Sequence, residues 1–476
     1  MKKMYRYLIA AIGIITSLSA CSKFLDIQPE DQLLEDQVFT SAKNIKFYLN
    51  GIYVGLGGKE LYGENLTLTV PDVLAHRYNV SVADHAYIRY HSHTYTDGNV
   101  ANKMAEIWKG AYQSIFNANR LMDNLEKSPG IIDVKTDSTY RGEALAIRAM
   151  VHFDILRLFG PMYNSADSTL ESVPYCTQGF ITINPFLPAN EVMSHIMADL
   201  SKAESLLFKD RSFSQEKRYK FNYYSVKALQ ARVNLYRGNK AEALACAKVL
   251  IDNGAKFPWV NRDNILSDKV NPDKIFSTEV ILGVNNADLA KRQQEIFGAQ
   301  VPDKNILAPL DIYLTNLYAL DDFRFGNDQL WGKSATKAYK TFLKYTDVDD
   351  KTKPFRNTVP LLKLSEMYYI AAECEPDPNT AVGYLNLVRY NRNLAAPVAA
   401  SQLTAELQKE YIREFFGEGQ LWYFYKRKNA ITIPRGTANA TSIPPTTGNE
   451  TYSMGTAATI RIKYVVPIPD VEKNNR

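Results

Sequence analysis

The chain has 476 residues, with 56 basic and 51 acidic side chains that give a formal net charge of +5. Without the first twenty residues, which hold three basic side chains, the charge falls to +2, so the charge balance gives no indication of a nucleic-acid partner. The four cysteines are widely separated and match neither a disulfide scaffold nor a thiolate metal site.

The N-terminus has the pattern of an export signal. Three basic residues among the first six precede an apolar run from Leu8 to Leu18. This run is about half the length that a membrane-spanning helix needs, so it favours a cleaved signal peptide over a permanent membrane anchor. We therefore expect residues 1–20 to form a signal peptide.

The residues after this run predict a lipid anchor. The sequence Leu-Ser-Ala-Cys ends at Cys21 and resembles the lipobox of bacterial lipoproteins. Cys21 is therefore the expected lipid-attachment residue, and an ordinary secretory cleavage site is the alternative. A polar segment predicts a lipidated tether over residues 21–36, and residues 37–476 are expected to form one domain.

Helical periodicity dominates the rest of the chain. In the clearest case, Met104, Ile107, Trp108 and Ala111 recur at steps of three and four, the spacing of one apolar helix face. The predicted helices are Asn102 to Lys127, Thr139 to Phe159, Ala189 to Phe208, Tyr223 to Arg237, Lys240 to Asn253, Val359 to Cys374, Thr380 to Arg392 and Ser401 to Phe416. The first two are expected to form an antiparallel pair.

One segment predicts two closely packed helices. Alanines recur from Ala228 to Ala247 and allow close helix approach, while Gly238 and Asn239 supply a tight turn between them. The segment resembles a tetratricopeptide helical hairpin.

Long irregular regions separate the helical blocks. Tyr53 to Val100 and Phe257 to Pro360 are rich in glycine, asparagine, aspartate, proline and aromatic residues, and Pro434 to Gly455 is a third such segment. Long loops on a helical frame commonly carry binding residues. We expect the ligand contacts in the first two regions.

Short motifs spread over almost the whole chain carry a family resemblance. They are Cys21 to Asp26, Trp108 to Tyr112, Ile115 to Asn119, Glu143 to Ala149, Phe153 to Gly160, Leu364 to Glu373, Arg413 to Phe415, Glu418 to Arg427 and Val466 to Pro469. Their order and spacing after a lipobox resemble the SusD/RagB family of outer-membrane nutrient-binding lipoproteins. The chain departs from many members in lacking consecutive arginines before Arg413 and an acidic cluster after Cys21.

The resemblance implies a fold and a role. The implied fold is mainly α and SusD-like, with tetratricopeptide-type helix pairs as scaffold, long irregular ligand-bearing loops and a few short strands. The implied role is to capture a glycan, or sometimes a peptide, at the outer membrane for a SusC-like TonB-dependent transporter. A structural accessory of the transporter without its own ligand is an alternative.

The sequence contains no complete catalytic motif. Glycine-rich stretches at 55–58 and 326–334 lack the spacing of nucleotide-binding loops, and neither His-Glu-x-x-His nor Gly-x-Ser-x-Gly occurs. Four histidines, His76, His85, His91 and His93, share one irregular region, so a metal site there is a minor alternative to surface imidazoles. We expect no enzymatic activity, cofactor or metal; a lipid-anchored glycoside hydrolase is the weaker hypothesis.

Charged residues inside the family-like helical motifs are expected to form structural ion pairs or caps. They are Arg148, Arg157, Glu366, Glu373, Arg413 and Glu414. Cys246 and Cys374 lie in helical patterns and are expected in the core.

Glycan binding requires aromatic faces with polar groups at the rim. The predicted ligand contacts are His76, Arg77, Tyr78, Asn79, Tyr87 and Tyr90 in the first irregular region, and Asp322, Arg324 and Trp331 in the second. For Asp322 and Arg324 the alternative is a structural turn pair, and for the two later tyrosines a packed strand face. Trp331 has the least core-like surroundings of the set.

Overall fold

The computed structural model describes residues 39–163, 167–214, 216–325, 330–436 and 450–474. The predicted signal peptide, Cys21 and the tether lie outside the described residues, as does most of the segment 434–455. In the part that is described, none of the helices combines the length and hydropathy that a membrane crossing needs.

The helices up to residue 266 include the longest of the described chain and three short ones. They are α1 (Ala42–Leu56), α2 (Val70–Leu74), α3 (Ile88–His91), α4 (Gly98–Lys127), α5 (Val134–Phe159), α6 (Ala189–Leu207), α7 (Tyr223–Tyr236), α8 (Lys240–Ile251) and α9 (Asp263–Leu266). A π-helical stretch, Asn65–Thr69, precedes α2.

The predicted pair of α4 and α5 is confirmed, with both helices starting earlier than the periodicity indicated. Asp97 and Asp133 cap them, because each carboxylate accepts hydrogen bonds from backbone N–H groups of the first turn. Every residue from Gly142 to Phe159 is buried. Helix α5 is therefore the central helix of the fold, surrounded on all sides by other elements.

The predicted helical hairpin is formed by α7 and α8, which pack against each other. Gly238 in the turn has φ +83°, a conformation that side chains with a Cβ rarely adopt. The Asn239 side chain caps α8 by accepting a hydrogen bond from the N–H of Glu242 at 3.3 Å. Cys246 is buried in this hairpin, and Cys374 is buried too, as expected.

Shorter helices fill the second half. They are α10 (Leu289–Phe297), α11 (Asp311–Leu317), α12 (Leu364–Cys374), α13 (Pro378–Tyr390), α14 (Leu403–Glu414), α15 (Leu421–Arg427), α16 (Arg461–Tyr464) and α17 (Asp470–Asn474).

Eight short strands occur in the described residues and pair two by two, always antiparallel. The pairs are β1 (Glu171–Pro174) with β2 (Phe186–Pro188), β3 (Val280–Asn285) with β6 (Thr358–Lys363), β4 (Trp331–Ser334) with β5 (Lys337–Phe342), and β7 (Thr432–Pro434) with β8 (Thr451–Ser453). The predicted helix from Val359 is wrong over its first turn, because residues 359–363 belong to β6. All six residues of that strand are buried, and its apolar run from Val359 to Leu362 has no periodicity that separates strand from helix.

A continuous hydrophobic core joins both ends of the described chain, from Phe39 to Val466. A small separate cluster of Val301, Ile306 and Ala308 lies outside it, with the half-buried Tyr339 packed against it. The fold is mainly α with a few short strands, as predicted.

Candidate ligand-binding site

The two long irregular regions meet at one surface. The N–H of Asn79 donates to the carbonyl of Ala308 at 2.8 Å, and the N–H of Ala86 donates to the carbonyl of Lys304 at 2.8 Å. A ring nitrogen of His85 lies 3.2 Å from the carbonyl oxygen of Ile306. Backbone hydrogen bonds thus hold the two segments side by side.

A polar cluster stands beside this junction. The hydroxyl of Tyr339 donates to Oδ1 of Asp303 at 2.8 Å, and the ammonium of Lys337 bonds to the same oxygen. Lys337 also donates to the carbonyl of Val301 at 2.7 Å. The hydrogen bonds from Lys337 and Tyr339 lower the pKa of Asp303, so this carboxylate is ionised at neutral pH.

These groups surround a shallow depression of about 60 Å³. Its lining combines the side chains of Asn79 and Val82 with Asp303, Ile306 and Tyr339. The Asp303 side chain is 58% exposed, and its ammonium partner on Lys337 is 9% exposed. The volume is that of about two water molecules, so a ligand would lie over the depression and not inside it.

The groups on this surface can form hydrogen bonds with the hydroxyls of a ligand, next to the apolar face of the Tyr339 ring. The carboxylate of Asp303 accepts hydrogen bonds, the ammonium of Lys337 donates them, and Tyr339 offers part of a ring face. Aromatic area with a few fixed polar groups is the usual composition of a small-ligand site.

Asn79 is the one predicted ligand contact that lines this depression. Its amide oxygen accepts a hydrogen bond from the Ser81 hydroxyl at 2.8 Å. Tyr87 is half-buried, with its ring 5.6 Å from that of Tyr90. Tyr90 itself is buried and donates its hydroxyl proton to the carbonyl of Asn99 at 3.1 Å, so its expected exposure to ligand is wrong.

The expectation that His76, Arg77 and Tyr78 face a ligand is also wrong, because all three are fully buried. Arg77 lies 3.0 Å from the carboxylate of Asp72 and donates to the carbonyl of Ile412 at 2.7 Å. The carboxylate of Asp72 and the carbonyl of Ile412 compensate the buried guanidinium, and sequence spacing does not reveal that these partners lie inside the core.

Asp322 and Arg324 are fully buried as well, and the structural turn pair is the correct alternative. Arg324 contacts Asp322 at 2.7 Å, Glu410 at 2.9 Å and Glu414 at 3.0 Å. These carboxylates raise the pKa of Arg324 well above its ordinary value, against the effect of burial. The group ties the second irregular region to α14.

Trp331, expected to be the least core-like residue, is wholly inside the core. Its ring centroid lies 4.9 Å from that of Phe342 and 4.8 Å from that of Phe416. Trp331 is the first residue of β4, which pairs with β5. Phe342 and Phe416 bury its ring, and the polar residues beside Trp331 in the sequence do not predict these contacts.

Three of the four clustered histidines pack together in the interior. The His76 ring lies 3.6 Å from that of His91 and 5.4 Å from that of His93. Burial lowers the pKa of His91 and of His93 to about 3, so these rings are neutral. Within the described residues, no group of three or more histidine, cysteine, aspartate or glutamate side chains is arranged to hold a metal ion.

The charged residues of the helical motifs form ion pairs, as predicted. The pairs are Arg148 with Asp199, Arg157 with Asp154, Glu366 with Arg232, Glu373 with Arg427, Arg413 with Glu406 and Glu410, and Glu414 with Arg324, Arg392 and Lys363. Most of these side chains are buried, so the pairs cross-link helices in the core and are not surface contacts.

Asp303, Lys337 and Tyr339 were not predicted from the sequence. The alternation of polar and apolar residues in β5 is a strand signal, and it lies close to Trp331 in the chain. That signal does not identify Asp303, which lies far away in sequence and meets β5 only in the fold.

Family models cover most of the chain. Residues 23–235 match the model described as starch-binding associating with outer membrane, and residues 326–476 match the model of the SusD family. Two SusD-like proteins of Formosa agariphila are similar to parts of the chain. One is 29% identical over 171 residues, which is 34% of this chain and 30% of the relative; the other is 20% identical over 294 residues, 60% and 53% respectively. The matched segments thus span about a third and about half of those relatives.

Solved structures share the fold over nearly the whole chain. A SusD superfamily protein of Bacteroides thetaiotaomicron has a TM-score of 0.73 at 22% identity, covering 91% of this chain and 98% of its own. A putative sugar binding protein of Bacteroides vulgatus has a TM-score of 0.71 at 24% identity, covering 91% and 96%. Surface glycan-binding protein A of B. thetaiotaomicron has a TM-score of 0.69 at 16% identity, covering 92% and 98%. The chain belongs to the SusD/RagB family.

Proposed function

We propose that the protein captures a glycan at the outer membrane and delivers it, chemically unchanged, to a SusC-like TonB-dependent transporter. The observation that carries the proposal is the cluster of Tyr339, Asp303 and Lys337 at the junction of the two irregular regions. Family membership supports the same role, as does the likeness in fold to proteins named for sugar and glycan binding.

The geometry favours capture at an open surface. A polysaccharide cannot enter a closed pocket along its length, whereas a shallow depression accepts one unit of a long chain. Tyr339 would contact the apolar side of a sugar ring, and Asp303 with Lys337 would bond its hydroxyls. Asn79 adds an amide to the lining of the same depression.

We also propose that Cys21 carries the lipid that holds the protein on the membrane. Acyl chains on one cysteine provide the apolar surface for membrane anchoring, which the described helices do not provide. Replacing Cys21 with alanine should move the protein from the membrane fraction to the soluble fraction and abolish incorporation of labelled palmitate. Unchanged fractionation together with unchanged labelling would contradict the anchor.

The capture role is tested by binding the mature chain to amylopectin, xyloglucan, arabinan, galactan, mannan and a peptide mixture. Affinity electrophoresis finds the ligand, calorimetry measures affinity, and chromatography of the mixture detects products. Binding of one glycan without product release supports capture. Shorter products would support a hydrolase, and preferential binding of peptides would replace the glycan as ligand.

A further inference from the structure

A second groove lies apart from the depression at Tyr339 and shares no lining residue with it. Its volume is about 460 Å³, within the range of roughly 300–1,000 Å³ typical of small-ligand sites. One wall is the face of α4 that carries Tyr112 and Phe116, and the other is the loop from Cys176 to Asn184 between β1 and β2. The groove was absent from the expectations drawn from the sequence.

The loop is fixed to α4 at its base. Asn119 donates from its amide to the carbonyls of Cys176 at 3.0 Å and of Gln178 at 3.2 Å. Arg120 donates to the carbonyl of Gly179 at 3.0 Å. A Cβ on Gly179 would lie 2.6 Å from the Cα of Arg120, so only glycine permits this approach. The groove is therefore built into the fold by several specific contacts.

The outer part of the loop leaves apolar side chains in solvent. Phe180 is 61% exposed, Ile181 is 95% exposed and Ile183 is 70% exposed. Three neighbouring apolar side chains at one groove are a stronger sign of binding than isolated ones, because solvent exposure of such a patch is unfavourable. On the opposite wall, Tyr112 and Phe116 are four residues apart, so their Cα atoms lie about 6 Å apart along the helix axis, on one face of α4.

The polar groups of the groove include one unsatisfied acceptor. Oε1 of Gln178 is buried and has no hydrogen-bond partner in the described part of the chain. A buried acceptor without a partner is unfavourable, and a donor on a ligand would supply the missing hydrogen bond. The side chains of Thr182, Asn184 and Glu472 add further polar groups along the lining.

We propose that this groove is a second glycan-binding site, which rests on the proposed function of glycan capture. The aromatic side chains on one wall offer faces for sugar rings, and a turn of the half-buried Gln178 side chain into the groove would let sugar hydroxyls donate to its Oε1. Two separate sites on one protein would bind one polysaccharide more tightly than either alone, because the second contact is intramolecular. A short oligosaccharide would lose this gain.

The test uses hydrogen exchange and calorimetry on the mature chain, with whichever of the five glycans named above binds best. Slower exchange in residues 177–184 on adding that glycan is the expected result. Phe180→Ala and Gln178→Leu should each weaken binding of the polysaccharide by about fivefold and remove this protection. Phe47→Ala, at a 55% exposed phenylalanine on α1, is the matched control and should bind normally.

The outcomes separate the groove from the main function. If the wild type binds a glycan, yet residues 177–184 show no protection and both variants bind normally, the groove is no glycan site and the proposed function stands. Protection of residues 177–184 by the peptide mixture alone would assign the groove to a different ligand and overturn this inference. If the wild type binds no glycan, both proposals are overturned.

Discussion

The hydroxyl of Tyr339 and the carboxylate of Asp303 are joined by a hydrogen bond of 2.8 Å across 36 positions of sequence. The bond fixes the tyrosine ring beside an ionised carboxylate at the surface, where the two irregular regions meet. This arrangement gives the protein a polar and an aromatic contact point that needs little rearrangement on binding, which favours affinity.

Substitution of Tyr339 tests that contact point. Tyr339→Ala removes both ring and hydroxyl, so we expect glycan affinity to fall about tenfold, equivalent to about 1.4 kcal/mol. Tyr339→Phe keeps the ring and should lose less. Calorimetry with the preferred glycan measures both, and Tyr390→Ala, at a tyrosine 69% exposed on α13, serves as control. Equal affinity of Tyr339→Ala and the wild type would remove Tyr339 from the site.

Trp331→Ala is expected to destabilise the protein without changing the affinity of the folded fraction. Removing a buried aromatic side chain leaves a cavity and costs about 3–5 kcal/mol in free energy of unfolding. Denaturant unfolding measures this cost, with Phe47→Ala as an exposed aromatic control. A variant of normal stability that no longer binds glycan would contradict the burial of Trp331 and restore it as a ligand contact.

The buried carboxyl of Glu143 should make the free energy of unfolding depend on pH. The carboxyl is buried and accepts a 2.7 Å hydrogen bond from Tyr53, and burial raises its pKa from 4.5 to about 7. An acid with a raised pKa in the folded state binds its proton more tightly there, so its contribution to stability is lost as pH rises from 4.5 to about 7. At pH 8 the wild type should carry a penalty of about 3 kcal/mol.

Glu143→Gln should remove that penalty, because a neutral amide accepts the same hydrogen bond from Tyr53. Unfolding by denaturant at pH 8 should show the variant as the more stable protein, with the advantage fading towards pH 4.5. The exposed Glu126→Gln is the control and should show no such trend. A variant less stable than the wild type at pH 8 would show that the attraction between Lys220 and the ionised Glu143 outweighs the cost of burying the charge.

The buried cluster of His76, His91 and His93 should make the protein less stable in acid. Burial lowers the pKa of His91 and His93 from 6.5 to about 3, and neighbouring positive charges on Arg435 and Lys463 act in the same direction. In the unfolded chain these histidines have their ordinary pKa of 6.5, so they take up protons there at a higher pH than in the folded protein. The free energy of unfolding should therefore fall as pH drops from about 6.5 to about 3.

His91→Phe keeps an aromatic ring in the cluster and removes one titrating group. Its free energy of unfolding should fall less steeply between pH 6.5 and pH 4 than that of the wild type, as followed by denaturant unfolding monitored by circular dichroism. His195→Asn, which replaces an exposed histidine, should keep the wild-type slope. An unchanged slope in His91→Phe would show that His91 takes up its proton equally in the folded and the unfolded chain, and would contradict the lowered pKa.

Helices with one apolar face were predictable, because burial on one side leaves a periodic pattern. Helix α4 is the clearest example, whereas the hairpin around Gly238 was predictable from its alanines and its turn residues. Strand β6 was not predictable, because residues buried on every side have no pattern to separate strand from helix. The predicted ligand contacts in the loop regions were wrong for a related reason, because Arg77 and Arg324 lie in segments that look like surface loops. Arg77 is buried against nearby Asp72 and the carbonyl of Ile412, and Arg324 is buried against Glu410 of the distant helix α14.

The binding surface required the fold itself. Asn79 was predicted from loop composition, and it meets Asp303 and Tyr339 only because backbone hydrogen bonds align two regions that are far apart in sequence. The groove beside Phe180 depends on hydrogen bonds from Asn119 and Arg120, neither of which stands out in the sequence.

The central claim is capture of a glycan without chemistry, and one titration addresses it most directly. The mature chain is titrated by calorimetry with the glycan selected from the panel, and the same mixture is then incubated and analysed for reducing ends. We predict saturable binding, no increase in reducing ends, and weaker binding by Tyr339→Ala. Absence of binding to every glycan, or release of shorter products, would contradict the claim.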